Sequence, residues 1–245
     1  MWQAGLVLAS SAIALVPLAL SFARRIAPRQ GVFFARWGFS HVAFLLLSGV
    51  VLLGLGPLVI PGDVSSTTIS LARTVLLMGG LAAIVLGLAR KLHPEGIGAL
   101  GFARGGNVRA IVAGVVAFAL VWPALFGVMM LWPDLARVLE LETGVQPVLE
   151  GILALEGAAL VGALVFAILI GPLFEELIFR GFLQPLLVQN FRETGGIVIC
   201  ALFFALLHGT QVLLPLFLFS LLLAGYKCTL TDYWRPIASM CSTTG

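Results

Sequence analysis

From Ala158 to Phe191 the sequence is apolar except for Glu175, Glu176, Arg180 and a few amides. As a helix that run measures roughly 50 Å, against a hydrocarbon core of about 30 Å, so its centre must be submerged in a bilayer. An ionised side chain at mid-membrane costs at least about 2.5 kcal/mol on insertion scales, so three this close together require partners or a wet cavity. The stretch is therefore both a membrane element and a candidate site.

Apolar runs of the same grade recur along the 245 residues, which are 60% hydrophobic and only 10% charged, and this excludes an ordinary soluble domain. Helices are expected at 3–22, 38–60, 70–89, 110–132, 157–190, 196–209 and 211–226, about seven spans if each needs roughly 20 residues. The fold class is all-α, a polytopic helical membrane bundle. No repeat or low-complexity tract divides it, so 1–245 reads as one membrane domain, with 227–245 a polar tail too short to cross.

Loop charge sets orientation. Arg24, Arg25, Arg29 and Arg36 follow the first span, and Arg90, Lys91, Arg104 and Arg109 follow the third, which makes those loops cytoplasmic. The segments around Asp63 and around Asp134, Glu140 and Glu142 contain only Arg137 and face outward, so the amino terminus is outside. The first span has no basic region ahead of it and is expected to be retained rather than cleaved. Cys200, Cys228 and Cys241 have neither an even count nor CxxC spacing, which argues against a disulfide framework or a thiolate zinc site. The net charge of +3 is what cytoplasmic loops supply, and no basic stripe interleaved with aromatics points to nucleic acid. The Gly-rich loop His93 to Val108 lacks the strand-to-helix context that gives a GxGxxG pattern its phosphate-binding meaning, and is expected along the cytoplasmic surface.

Helical geometry then sorts the charges. Glu176 and Arg180 are i,i+4 and share a face, whereas α-helical winding turns Glu175 about 140° from Arg180. That makes Glu175 the candidate for chemistry and Glu176 with Arg180 a structural pair. Glu175 lies roughly 22 Å before the polar "FRETGG" turn, and His208 roughly 18 Å after it on the returning helix, so the two reach similar depths. A glutamate in a low-dielectric cavity is raised toward the range of a general base, and an imidazole beside it donates to a developing oxyanion or shares the water. Phe204, one turn before His208, is placed to wall such a pocket.

The pair "EELIFR", Glu175 to Arg180, and "FALLH", Phe204 to His208, resembles the EExxxR and FxxxH motifs of the CAAX prenyl protease and bacteriocin-processing (CPBP, or Abi) membrane family. The resemblance covers roughly the last third of the chain, with 157–226 as the motif-bearing core. It implies a multi-helix intramembrane endopeptidase, described either as a metalloprotease or as glutamate-dependent, acting on a membrane-associated peptide or protein. Glu175 is then the base, His208 its partner, and Glu176, Arg180 and Phe204 support the site. A divalent metal such as zinc would fall to Glu175 and His208; three-ligand coordination has no obvious set, since His41 sits near a span end and His93 in a loop.

The family's third motif, a His followed four residues later by Asn on an eighth helix, is missing: in "YWRPIASMCSTTG" Met240 and Thr244 stand in those places. Losing one oxyanion donor typically costs about 10² to 10³ in rate. The expectations that follow are an active peptidase whose sequence is altered or truncated after Lys227, or a catalytically inactive relative with an immunity-like or scaffold role. A proton-coupled transporter is the remaining alternative, and the lack of inverted repeats counts against it. The expected location is the bacterial plasma membrane.

Overall fold

The structure, a computed structural model, describes residues 30–31, 35–63, 66–94, 96–100, 108–141, 144 and 146–232. The expected first span at 3–22, the arginines 24, 25 and 29, and the third-motif positions Met240 and Thr244 lie outside these residues. Apart from a two-residue parallel pairing of β1 (Gln30–Gly31) with β2 (Thr231–Asp232), the described elements are helical. The long ones are α1 (Phe39–Val59), α2 (Thr67–Leu92), α3 (Val108–Val138), a composite run from Gly157 to Leu207, and α8 (Leu213–Leu230). Four stretches are long and apolar enough to cross a membrane: Phe39–Val59, Thr67–Leu92, Phe118–Val138 and Gly157–Leu207. Helices suit this composition because in hydrocarbon every backbone N–H and C=O must be satisfied within its own segment.

The chain divides into two compact units, one of Phe34–Phe102 with Val145–Arg192, the other holding Ala103–Gly144 and the chain from Glu193 onward. In the first unit α1 and α2 pack at small residues. A Cβ added to Gly80 would come within 2.7 Å of Leu52 Cδ1, and one on Gly79 would touch the Phe174 ring at 3.8 Å. Close approach at glycines is how helices associate where lipid removes the hydrophobic driving force. The Arg73 stem lies over Gly56, and its guanidinium donates to Ile60 O at 3.1 and 3.2 Å and to Gly62 O at 3.0 Å. It thereby serves carbonyls at the end of α1, which have no intrahelical donors. The short α4 (Pro147–Leu153) precedes the composite run.

That run is not one α-helix. It starts as α5 (Gly157–Val165), widens to a π-helix at Phe166–Ile170, returns as α6 (Gly171–Glu175), widens again at Glu176–Leu183, and continues as α7 (Gln184–Leu207). Each π segment ends two residues before a proline, Pro172 or Pro185. A helical proline lacks the amide and its ring clashes with the carbonyl four residues back, here Ile168 and Gly181, both inside the π segments. An extra residue per turn relieves that clash. Proline alone does not do this, because Pro57 in α1 and Pro123 and Pro133 in α3 lie in α-helical stretches. Gly171 next to Pro172, and Gly181 four residues before Pro185, supply backbone freedom at the two widened sites.

Within α7, Phe191 (φ −119°, ψ 15°) and Arg192 (φ 63°, ψ 169°) leave helical geometry and divide it in two. The turn expected at "FRETGG" is therefore present, at its first two residues, and the second unit begins immediately after it. In that unit α3 packs on α8 through Val121 and Leu125 against Leu218, Phe219 and Leu222, with Phe118 edge-on to Phe219 at 6.2 Å. The expected spans at 38–60, 70–89, 110–132 and 211–226 correspond to α1, α2, α3 and α8, while 157–190 and 196–209 correspond to the two parts of the composite run.

Candidate active site

Glu175 closes the α6 turn between the two π segments and is half-buried; Glu176, exposed, opens the second π segment. Arg180 is only 2% exposed, and its Nε lies 3.9 Å from Glu176 Oε1. The i,i+4 pairing expected from sequence is thus present as a long ion pair between a buried cation and an exposed carboxylate. The 140° offset between Glu175 and Arg180 is corrected by the winding. It assumed 3.6 residues per turn, whereas i→i+5 bonding lengthens the turn by about one residue and brings positions five apart toward one face. Both glutamates therefore fall within the arc about Arg180, and angle alone does not separate their roles.

The far end of this segment is tightly held. Trp37, 3% exposed and just ahead of α1, donates its indole N–H to Phe182 O at 2.8 Å and stacks on the Phe182 ring at 5.0 Å with a 16° interplanar angle. In the Gly-rich loop Gly96–Leu100 forms a 3₁₀ turn whose Ala99 and Leu100 are buried. Leu100 presses on the motif so closely that a Cβ on Gly181 would sit 3.2 Å from Leu100 O. Phe182, Leu186, Leu177 and Ile178 complete a buried cluster with Val85 and Ala89 of α2. The motif segment is thereby fixed on three sides, by α2, by Trp37 and by Leu100.

In the second unit His208 follows the last residue of α7. The helix tightens as it ends, with His208 N bonding Ala205 O at 3.1 Å and Gly209 N bonding Leu206 O at 3.3 Å. Gly209 then takes a positive φ of 88°, which glycine allows without a Cβ penalty. Phe204 O instead meets His208 Nδ1 at 2.7 Å. A carbonyl only accepts, so Nδ1 carries the hydrogen, and in the neutral ring Nε2 bears the lone pair. The neutral imidazole accordingly accepts at Nε2, and only the protonated ring donates to an oxyanion. Phe204, 6% exposed, lies against the imidazole with ring centroids 4.5 Å apart, as its place one turn earlier led us to expect. Trp132, 5% exposed on α3, donates its indole N–H to Thr210 O at 2.9 Å, two residues beyond His208.

Glu175, Glu176 and Arg180 thus belong to one unit and Phe204 and His208 to the other, on either side of the break at Phe191 and Arg192. Among the described residues no three His, Cys, Asp or Glu side chains form a metal-ligating group, and the chemistry below is written with protein groups alone. His41, at the start of α1, accepts from Gly38 N at 3.2 Å through Nδ1, a local capping contact. Sequence reasoning passed over Trp37 and Trp132, whose partners lie 145 and 78 residues away, and over the prolines that widen the helix. Pro172 and Pro185, bracketing the motif at an interval unsuited to an uninterrupted helix, were the available signal.

Residues 157–239 match the family model described as Rce1-like, type II CAAX prenyl endopeptidase Rce1-like. This motif-bearing segment is similar to the Rce1-like CAAX proteases. No curated protein and no solved structure matches the chain. The Rce1-like segment takes in the composite run, the break, His208 and α8, so both motifs recognised in the sequence fall inside it. The four long apolar helices and the Rce1-like match together fit an integral membrane protein.

Proposed function

We propose that the protein is an intramembrane endopeptidase that hydrolyses a peptide bond of a membrane-associated protein or peptide, with Glu175 and His208 acting on one water. The carrying observation is the Rce1-like match over the segment that contains both motifs. The half-buried Glu175 carboxylate and the oriented His208 imidazole support it. In the first step Glu175 takes a proton from water as the oxygen attacks the scissile carbonyl, while Nε2 of His208 accepts the water's other hydrogen bond. In the second, the C–N bond breaks and the proton held at Glu175 passes to the leaving amine, so that acid and amine products balance the water consumed. Arg180 and Glu176 hold the helix that carries the base, and Phe204 shields the imidazole face. The protein sits in the bacterial plasma membrane with its amino terminus outside and the Arg90–Lys91 end of α2 inside, following loop charge.

The test uses the full-length protein in proteoliposomes with a panel of transmembrane peptides and of prenylated and unprenylated C-terminal peptides, products being read by mass spectrometry. Wild type is expected to cleave at least one of them. Glu175→Gln should lower that turnover by about 10² to 10⁴, with insertion unchanged. Retained turnover in the variant would remove the proposal. A second reading, an inactive relative, draws on Met240 and Thr244 at the places of the family's His and Asn, and it requires that the wild type cleave nothing in the panel.

A further inference from the structure

Both motifs share a feature that neither the family resemblance nor the proposed chemistry uses. A buried tryptophan from a distant part of its own unit donates to the main-chain carbonyl two residues beyond the motif's last residue: Trp37 to Phe182 O, past Arg180, and Trp132 to Thr210 O, past His208. Each bond falls where the backbone leaves α-helical geometry, in the π segment Glu176–Leu183 and in the 3₁₀ turn Thr210–Val212. Such places have alternatives close in energy, since a π segment slips to α-helix by moving its extra residue along the chain. A one-residue slip would rotate Glu175 and Arg180 relative to α2, and a rewound turn would swing the His208 ring off Phe204 O.

We propose that Trp37 and Trp132 are positioning residues, paired indole latches that fix the winding register of the Glu175–Arg180 segment and of the His208 turn. The stacking of Trp37 on Phe182 sets the height of the first latch, and the N–H sets its angle. For the second, Thr210 O also accepts from the Leu213 amide, so Trp132 is joined to the bond that starts α8. In an apolar medium these bonds meet little competition from water. The proposal rests on the peptidase reading only for its purpose. The latching itself is testable without a substrate.

The experiment uses the full-length protein in lipid nanodiscs with Trp37→Phe, Trp132→Phe, and replacement of each tryptophan by 3-benzothienylalanine, which keeps the bicyclic shape and removes only the N–H. Backbone hydrogen exchange is followed by mass spectrometry, together with the rate at which dicyclohexylcarbodiimide modifies Glu175, a reaction sensitive to the carboxyl's surroundings. Losing the Trp37 N–H should speed exchange across 176–186 about five- to tenfold and shift the Glu175 modification rate several-fold, leaving 204–213 unchanged. Losing the Trp132 N–H should do the converse, speeding 204–213 and sparing 176–186. Unchanged exchange in the benzothienyl variants, or an even increase along the whole chain, would overturn the latches. Should Trp37→Phe fail to fold, the benzothienyl variant alone decides. A protein that shows both local responses but cleaves no peptide would retain the latches and lose the peptidase reading.

Discussion

At the scale of single residues the least obvious assignment is the hydrogen on His208 Nδ1, which follows from the 2.7 Å approach to Phe204 O. Asparagine places its amide nitrogen near the position of Nδ1 and has nothing at Nε2. His208→Asn should therefore keep the bond to Phe204 O, cost less than about 1 kcal/mol in stability, and still abolish turnover. Glutamine, whose amide reaches toward the Nε2 position instead, should lose the anchoring bond. Thermal unfolding in detergent and cleavage in proteoliposomes, measured side by side on the two variants, separate anchoring from chemistry. Comparable destabilisation by both would show that the Nδ1 bond is dispensable.

At the scale of elements the π segments set the orientation of the site, and Pro185 is their clearest lever. Pro185→Ala restores an amide and removes the ring clash, so Glu176–Leu183 should relax toward α-helix. The expected result is a protein as stable as wild type or more so, with turnover reduced at least about tenfold, the trade-off found where an active site is held in strained geometry. Equal activity would mean that the winding is incidental. Glycine packing gives a second contrast. Gly181→Ala meets the Leu100 carbonyl at 3.2 Å and should cost about 1 to 3 kcal/mol. Gly80→Ala meets only the mobile tip of Leu52 at 2.7 Å, which can rotate away, and should cost less than half as much in the same unfolding assay. Equal costs would show that backbone and side-chain neighbours yield alike.

At the scale of the whole molecule, four spans were legible because lipid demands long apolar helices, and α1, α2, α3 from Phe118 and the composite run follow the hydropathy. The break between the motif helices was legible too, since Arg192, Glu193 and the following glycines are polar and flexible. The two motifs were legible as residue types in order, Glu175 with Arg180 and Phe204 with His208, within the segment that matches the family model. Winding was not, because periodicity arguments take 3.6 residues per turn for granted, and the glycine and proline pairs that relax it act through carbonyls inside the run. Nor were the indole bonds legible, as they join residues remote in sequence. The central proposal is that Glu175 and His208 act on one water. It is tested by Glu175→Cys with His208→Cys in a chain whose Cys200, Cys228 and Cys241 are changed to alanine, treated in intact membranes with a bifunctional thiol reagent no longer than two side chains and a water. The account predicts an intramolecular cross-link, formed as readily as in a Phe204→Cys, His208→Cys control on one helix; a control that links while the Glu175 and His208 positions do not would contradict it.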